Sequence, residues 1–82
     1  MDEFQQEVVD ILVEKAVEIF GVDASELSGD TTFAGLGCKS VNIVQFASAL
    51  EDEYEVEVPF MELNKMESFA DAARLIDDKL SM

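Results

Sequence analysis

The stretch LGCKSVNIVQFASALEDEY, residues 36–54, decides the fold because it joins a glycine-containing loop to a long amphipathic helix. Its apolar residues recur at helical spacing and predict one buried face, formed by Ile43, Phe46, Ala47, Leu50 and Tyr54. The spacing predicts a helix over residues 40–54. Ser40 therefore enters the first turn of a helix, where the positive end of the helix dipole favours a phosphate group.

Ser40 has two interpretations that the local sequence leaves equally open. Serine is a preferred N-cap residue, so Ser40 either caps this helix or presents a free hydroxyl for modification. Val41 and Val44 lie near the face opposite the buried one. These two valines either form an exposed binding patch or pack beneath the preceding loop.

Two further long helices are predicted on either side of this segment. Asp2 can cap a helix that runs to about Phe20, and Gly21 ends it. Ser68 and Asp71 form a near capping box for the last helix. The predicted buried positions are Phe4, Val8, Ile11, Leu12, Ala16 and Ile19 in the first helix, and Phe69, Ala72, Ala73, Ile76 and Leu80 in the last.

The connecting segments complete an all-α prediction. Residues 22–39 read as a long loop with a short turn at Ala24–Leu27. Residues 55–59 alternate between polar and apolar, but no second strand is available to pair with them, so we expect an extended loop. Pro59 suits the start of a short helix, Phe60–Met66. The sum is a single domain over residues 1–82, an all-α bundle of three main helices and one short helix.

Charge restricts the partners. Nineteen acidic and five basic residues give a formal net charge of −14. Nucleic acids and anionic membranes repel such a chain, so we expect neither as a partner. Basic protein surfaces attract it, and that association should be fast and sensitive to salt.

Residue usage restricts the compartment and the chemistry. The chain has one cysteine and no histidine. A lone cysteine forms no internal disulfide, and neither a secretory signal nor a membrane span is recognisable, so we expect a monomeric cytoplasmic protein. Without histidine, a nucleophile lacks its usual base and a metal its commonest ligand, so we expect no enzymatic activity and no metal site. Cys38 lies beside Lys39 and near a helix N-terminus, which predicts a lowered thiol pKa.

The pattern Phe33-x-x-Leu36-Gly37-x-x-Ser40-Val41 resembles the modification site of acyl carrier proteins. The similarity continues through Ile19–Asp23 and Ala49–Tyr54 and covers nearly the whole chain. The resemblance implies a four-helix carrier fold and a 4'-phosphopantetheine arm, moved from coenzyme A onto Ser40 by a phosphopantetheinyl transferase. The thiol of the arm would hold acyl groups as thioesters for fatty-acid, polyketide or related specialised biosynthesis. Acyl-loading and acyl-processing enzymes would dock on the carrier through basic patches.

The sequence departs from the family beside the serine. Most members have an aspartate where this chain has Lys39, and acid in the first turns of the second helix, where this chain has Asn42 and Gln45. Acid returns at Glu51, Asp52 and Glu53. We therefore expect a specialised carrier that contacts its partners through Lys39, Val41, Val44 and the Glu51–Glu53 segment. The alternative is an unmodified acidic helical adaptor that keeps the carrier fold and binds a basic partner protein.

One apolar set is open to two interpretations. Its members either line a channel that shelters an acyl chain or simply pack the core. The set comprises Phe46, Leu50, Met61, Leu63, Met66 and Ile76.

Overall fold

The computed structural model describes residues 2–81. The two terminal residues of the predicted domain, Met1 and Met82, lie outside the described residues. The described chain is all-α, as predicted. Its helices are α1 (Glu3–Phe20), a 3₁₀ turn (Ala24–Glu26), α2 (Ser40–Tyr54), α3 (Phe60–Leu63) and α4 (Phe69–Ser81). Within residues 2–81 no strand forms, and residues 55–59 are a loop as predicted, although Glu55 is left-handed rather than extended.

The ends of the helices follow from their cap residues. Asp2 caps α1, because its carboxylate accepts a hydrogen bond from the Gln5 amide at 2.8 Å. Gly21 ends the helix in the left-handed region at φ 68°. The predicted capping box of α4 is reciprocal: the Asp71 amide donates to Ser68 Oγ at 3.2 Å, and the Ser68 amide donates to Asp71 Oδ2 at 3.3 Å.

The core lies where α1, α2 and α4 meet, with α3 covering one end. Three phenylalanine rings, Phe33, Phe46 and Phe69, cluster in it with centroids 5.1–5.9 Å apart. Phe33 belongs to the loop between α1 and α2, so the loop is held by the core itself. The other side chains of the core are Val8, Val9, Leu12, Ala16, Ile43, Ala47, Leu50, Val58, Leu63, Ala72, Ala73 and Ile76.

The long loop is also hydrogen-bonded to the start of α4. The Phe33 amide donates to the Glu67 carbonyl at 3.1 Å, and the Phe69 amide donates to the Thr31 carbonyl at 2.9 Å. An isolated antiparallel bridge joins Thr32 to Ser68 at the same place. Because these backbone hydrogen bonds hold residues 31–33 against residues 67–69, the segment that leads into α2 has a defined position.

Some predicted details are wrong or incomplete. Of the predicted buried positions in α1, Phe4, Ile11 and Ile19 are only half-buried. The short helix ends at Leu63 rather than Met66, because the Lys65 and Met66 amides bond to carbonyls three residues back and tighten the chain into turns. Leu80, a predicted buried position, is 44% exposed. Tyr54 is only half-buried: its ring packs on Phe4.

Candidate functional site

Ser40 occupies the first helical position of α2, and the N-cap is Lys39. The interpretation of Ser40 as the cap is therefore wrong. Asn42, at the third helical position, instead bonds back to the N-cap residue: its Oδ1 accepts a hydrogen bond from the Lys39 amide at 2.9 Å. Ser40 is exposed, and within residues 2–81 its hydroxyl makes no hydrogen bond. The sequence did hold a signal for this bond, because Asn42 is a polar residue three positions after Lys39, as in a capping box.

Unpaired backbone donors lie beside this hydroxyl. The Asn42 and Ile43 amides both bond to the Lys39 carbonyl, at 2.9 and 3.1 Å. The Ser40 and Val41 amides have no acceptor among the described residues. A helix N-terminus with free N–H groups favours an anion, and α2 is long enough, at 15 residues, to have a developed dipole.

The preceding loop aims Ser40 outward. Phe33 is 4% exposed, and its carbonyl accepts from the Cys38 amide at 3.1 Å. Gly37 turns the chain in the left-handed region at φ 75°, which glycine adopts without strain. Phe33 thus anchors the loop in the core, Gly37 turns the chain, and Ser40 presents an exposed hydroxyl.

The first half of α2 has an outward face that is apolar and not acidic. Val41 is 62% exposed and Val44 is 47% exposed, so the interpretation that they pack beneath the loop is wrong. Asn42 and Gln45 are joined by a side-chain hydrogen bond of 3.1 Å. Lys39 is exposed and forms no ion pair within residues 2–81.

The second half of α2 is acidic, but its carboxylates differ in availability. Glu51 accepts a hydrogen bond from the Val58 amide at 2.8 Å, so it holds the extended segment after α2 against the helix. Asp52 and Glu53 are exposed. With a rise of about 1.5 Å per residue, Asp52 lies about 18 Å along the helix from Ser40.

Cys38 differs from its prediction. The residue is half-buried, and burial raises the pKa of its thiol instead of lowering it. Desolvation is the cause, because burial disfavours the charged thiolate. The raised pKa makes the Cys38 thiol less reactive than the sequence analysis predicts.

A groove of about 190 Å³ opens beside the serine, which we call the serine-side groove. Its lining residues are Phe33, Ala34, Cys38, Ile43, Asn64, Met66 and Glu67. A second cavity of about 380 Å³ lies on the other side of Met66 and Glu67, against α4. No pattern in the sequence predicts the groove, because its walls come from three separate segments.

Most of the predicted channel residues are core residues. Phe46, Leu50, Leu63 and Ile76 have no exposed surface, and they pack in the same apolar cluster. Met61 is 66% exposed and lines neither cavity, whereas Met66 lines the serine-side groove. Ordinary packing accounts for Phe46, Leu50, Leu63 and Ile76, but not for the two methionines.

Two further searches covered the described residues. No group of three or more His, Cys, Asp and Glu side chains in residues 2–81 is placed to hold a metal ion. Over the same residues, no helix has the length and apolar character that crossing a membrane requires.

The exposed serine at the head of α2 is consistent with the family to which the chain is similar. A family model described as "Phosphopantetheine attachment site" matches residues 10–76, which is most of the chain. The matched range includes Phe33, Ser40 and all of α2 and α3. The chain therefore belongs to the phosphopantetheine-attachment family, and the domain is one that takes a covalent 4'-phosphopantetheine arm.

The residues at the head of α2 fit such a group. The arm begins with a phosphodiester, which needs an exposed hydroxyl for its bond and N–H donors for its charge. Ser40 would supply the hydroxyl, and the free Ser40 and Val41 amides would supply the donors. Lys39 adds a positive charge at the same end of the helix.

Proposed function

We propose that this protein is an acyl carrier whose arm is attached at Ser40 and holds acyl groups as thioesters for fatty-acid, polyketide or related specialised biosynthesis. The proposal rests on Ser40 itself. Its hydroxyl is exposed and caps no helix, and it lies beside two free amides at the start of a 15-residue helix. The family match supports the proposal because its range includes Ser40.

Attachment is a phosphoryl-group transfer from coenzyme A catalysed by a separate transferase. The Ser40 oxygen forms a bond to the phosphorus that bears the pantetheine, and the bond from that phosphorus to the adenosine bisphosphate portion breaks. The hydroxyl proton passes to the transferase. When bound, the arm supplies a terminal thiol for thioester formation, and the tether raises the local concentration of cargo at a docked enzyme.

The outward face of α2 is the proposed docking surface. Val41 and Val44 would enter an apolar socket on the partner, and Asp52 and Glu53 would face its basic residues about 18 Å further along the helix. Glu51 would contribute charge, although its carboxylate already holds Val58. Lys39 would face the partner beside the reacting hydroxyl.

Intact mass tests the carrier proposal. The purified chain is mixed with coenzyme A and a broad-specificity phosphopantetheinyl transferase, with Ser40→Ala as the control. We expect a mass gain of one phosphopantetheine in the parent chain and none in the control. No gain would favour the alternative, an acidic adaptor that binds a basic partner without a prosthetic group. A gain that persists in Ser40→Ala would place the arm elsewhere.

The second half of the proposal is that Lys39 selects among partners. A fatty-acid-type transferase with a basic docking patch meets like charge at Lys39, so it should modify this chain slowly. Lys39→Asp should raise kcat/KM for that enzyme, and the gain should shrink as salt screens the charges. Lys65→Asp is the matched control, because it makes the same charge change at an exposed lysine outside α2. An equal gain in both variants, or in neither, would contradict the role of Lys39.

A further inference from the structure

The backbone turn that presents Ser40 depends on one side chain. Lys39 is the N-cap of α2, and its own side chain forms no cap hydrogen bond. The Lys39 amide donates to Asn42 Oδ1 at 2.9 Å. Within residues 2–81, no other side chain forms a hydrogen bond to the backbone of residues 39–41. Asn42 is therefore the side chain that holds the residue before Ser40.

Gln45 orients the Asn42 side chain. A carboxamide accepts hydrogen bonds through its oxygen and donates them through its nitrogen. Asn42 Nδ2 donates to Gln45 Oε1 at 3.1 Å, which directs the opposite end of the amide, Oδ1, to Lys39. Gln45 lies one turn further along α2 and is exposed. The two carboxamides thus form a short hydrogen-bonded chain that ends on the backbone at Lys39.

This arrangement leaves a defined pair of backbone donors free. The first N–H groups of a helix have no acceptor in a preceding turn. The Asn42 and Ile43 amides both donate to the Lys39 carbonyl, at 2.9 and 3.1 Å, whereas the Ser40 and Val41 amides have no acceptor among the described residues. The turn that Asn42 holds therefore presents the Ser40 hydroxyl together with two donors that suit a phosphate.

The hydrogen bond from Lys39 to Asn42 is strong enough to affect modification. A hydrogen bond within a protein changes an equilibrium by a factor of about 2–12. The first turn of a helix opens with a free energy near zero, so losing this bond lowers the share of chains that keep the turn by about 2- to 7-fold. The apparent affinity of a binding partner falls with the share of chains in the competent conformation.

We propose that Asn42 is a positioning residue for the modification of Ser40. This inference rests on the proposed function. By accepting the Lys39 amide, Asn42 fixes the turn that a phosphopantetheinyl transferase must bind, and Gln45 supports Asn42 from the next turn. Asn42 acts through the backbone and not by contact with the transferase or with coenzyme A. Lys39 thus sets the charge beside the reacting hydroxyl, whereas Asn42 sets the backbone conformation there.

Modification kinetics and NMR of the unmodified chain test the inference together. For Asn42→Ala with coenzyme A and a broad-specificity transferase, we expect KM for the carrier to rise by about 2- to 7-fold with kcat unchanged, because the transferase binds only the ordered turn. In the absence of transferase, the Lys39 amide should exchange faster with solvent, and its proton resonance should move upfield as the hydrogen bond is lost. Asn42→Gln keeps a neutral acceptor of the capping-box type, so it should restore both measurements.

Ser68→Ala is the matched control. It removes a hydrogen bond of the same kind from the N-terminus of α4, where Ser68 Oγ accepts the Asp71 amide at 3.2 Å. The control makes no change of charge, as Asn42→Ala makes none. It should lower the melting temperature as Asn42→Ala does, and it should leave KM and the exchange of the Lys39 amide unchanged.

Several results overturn the inference. A higher KM without faster exchange at Lys39 would show that Asn42 contacts the transferase itself. An equal rise of KM in Ser68→Ala would show a general loss of stability, and no recovery in Asn42→Gln would show that the acceptor is not what matters. Intact mass separates the two proposals: a parent chain that is modified no faster than Asn42→Ala refutes the positioning role alone, whereas a parent chain that gains no mass refutes the carrier function and the positioning role together.

Discussion

Replacing Phe33 by leucine should destabilise the chain and loosen the loop that carries Ser40. The Phe33 ring lies 5.3 Å from that of Phe46 and 5.1 Å from that of Phe69. Each such aromatic pair contributes about 0.5–1.5 kcal/mol beyond its buried area, so losing two costs about 1–3 kcal/mol. An 82-residue domain has about 4–12 kcal/mol of stability in total. The variant should therefore fold, with a melting temperature lower by about 4–8 °C for each kcal/mol lost.

Phe4→Leu is the matched control for this change. Phe4, in the first turn of α1, is only half-buried, and within residues 2–81 its one aromatic contact is with Tyr54, the last residue of α2, at 5.3 Å. Its loss should cost about half as much, about 0.5–1.5 kcal/mol. Urea unfolding followed by circular dichroism measures both variants.

Amide hydrogen exchange separates a local effect from a global one. The Cys38 amide is bonded to the Phe33 carbonyl at 3.1 Å, so its exchange should quicken in Phe33→Leu by more than the loss of global stability explains. In Phe4→Leu it should change only in proportion to that loss. The reasoning is refuted if Phe4→Leu costs as much as Phe33→Leu, or if Cys38 exchange follows global stability in both variants.

Other predictions concern single positions. Glu55 holds a left-handed conformation at φ 53°, so Glu55→Gly should stabilise the fold by about 1 kcal/mol, while the control Glu57→Gly should not. A Cβ on Gly35 would lie 2.7 Å from Thr32 Oγ1, which accepts the Gly35 amide, so Gly35→Ala should cost about 1 kcal/mol in thermal unfolding, and less in a Thr32→Ala background. The raised pKa of Cys38 lowers its thiolate fraction at any given pH, so its alkylation should be slower than that of a free cysteine and should accelerate at higher pH.

The sequence predicted the helices well because their buried faces are periodic and their caps are local. Asp2, Gly21 and the Ser68–Asp71 pair act through hydrogen bonds within a few residues, so their residue types alone reveal them. Leu80 shows the limit of periodicity. It continues the apolar pattern of α4, yet burial depends on whether another element covers that turn.

The site was less predictable because its geometry depends on contacts between distant segments. The exposure of Val41 and Val44 follows from the loop being tied to α4 instead of folding over α2. The predicted direction of the Cys38 pKa shift was wrong, since the sequence shows the nearby charge but not the burial that raises the pKa. The serine-side groove joins residues 33–34 to 64–67, a separation that no local pattern encodes.

Lys39 is unfavourable for folding, and this gives its functional interpretation a second test. A cation at the N-terminus of a helix opposes the helix dipole at a cost of about 0.3–1 kcal/mol, and a lysine N-cap contributes no side-chain cap bond. An aspartate there would accept an amide hydrogen and add about 1 kcal/mol. Lys39→Asp should therefore be more stable than the parent chain.

Lys65→Asp again controls for charge, since both variants make the net charge two units more negative than −14. If Lys39→Asp melts no higher than Lys65→Asp, the lysine costs nothing and the argument fails. If Lys39→Asp melts higher and is also modified faster by a fatty-acid-type transferase, then Lys39 lowers both stability and reaction with that class of partner. A residue with both effects makes sense only as a contact for a different partner, one that presents an acidic or neutral group beside Ser40.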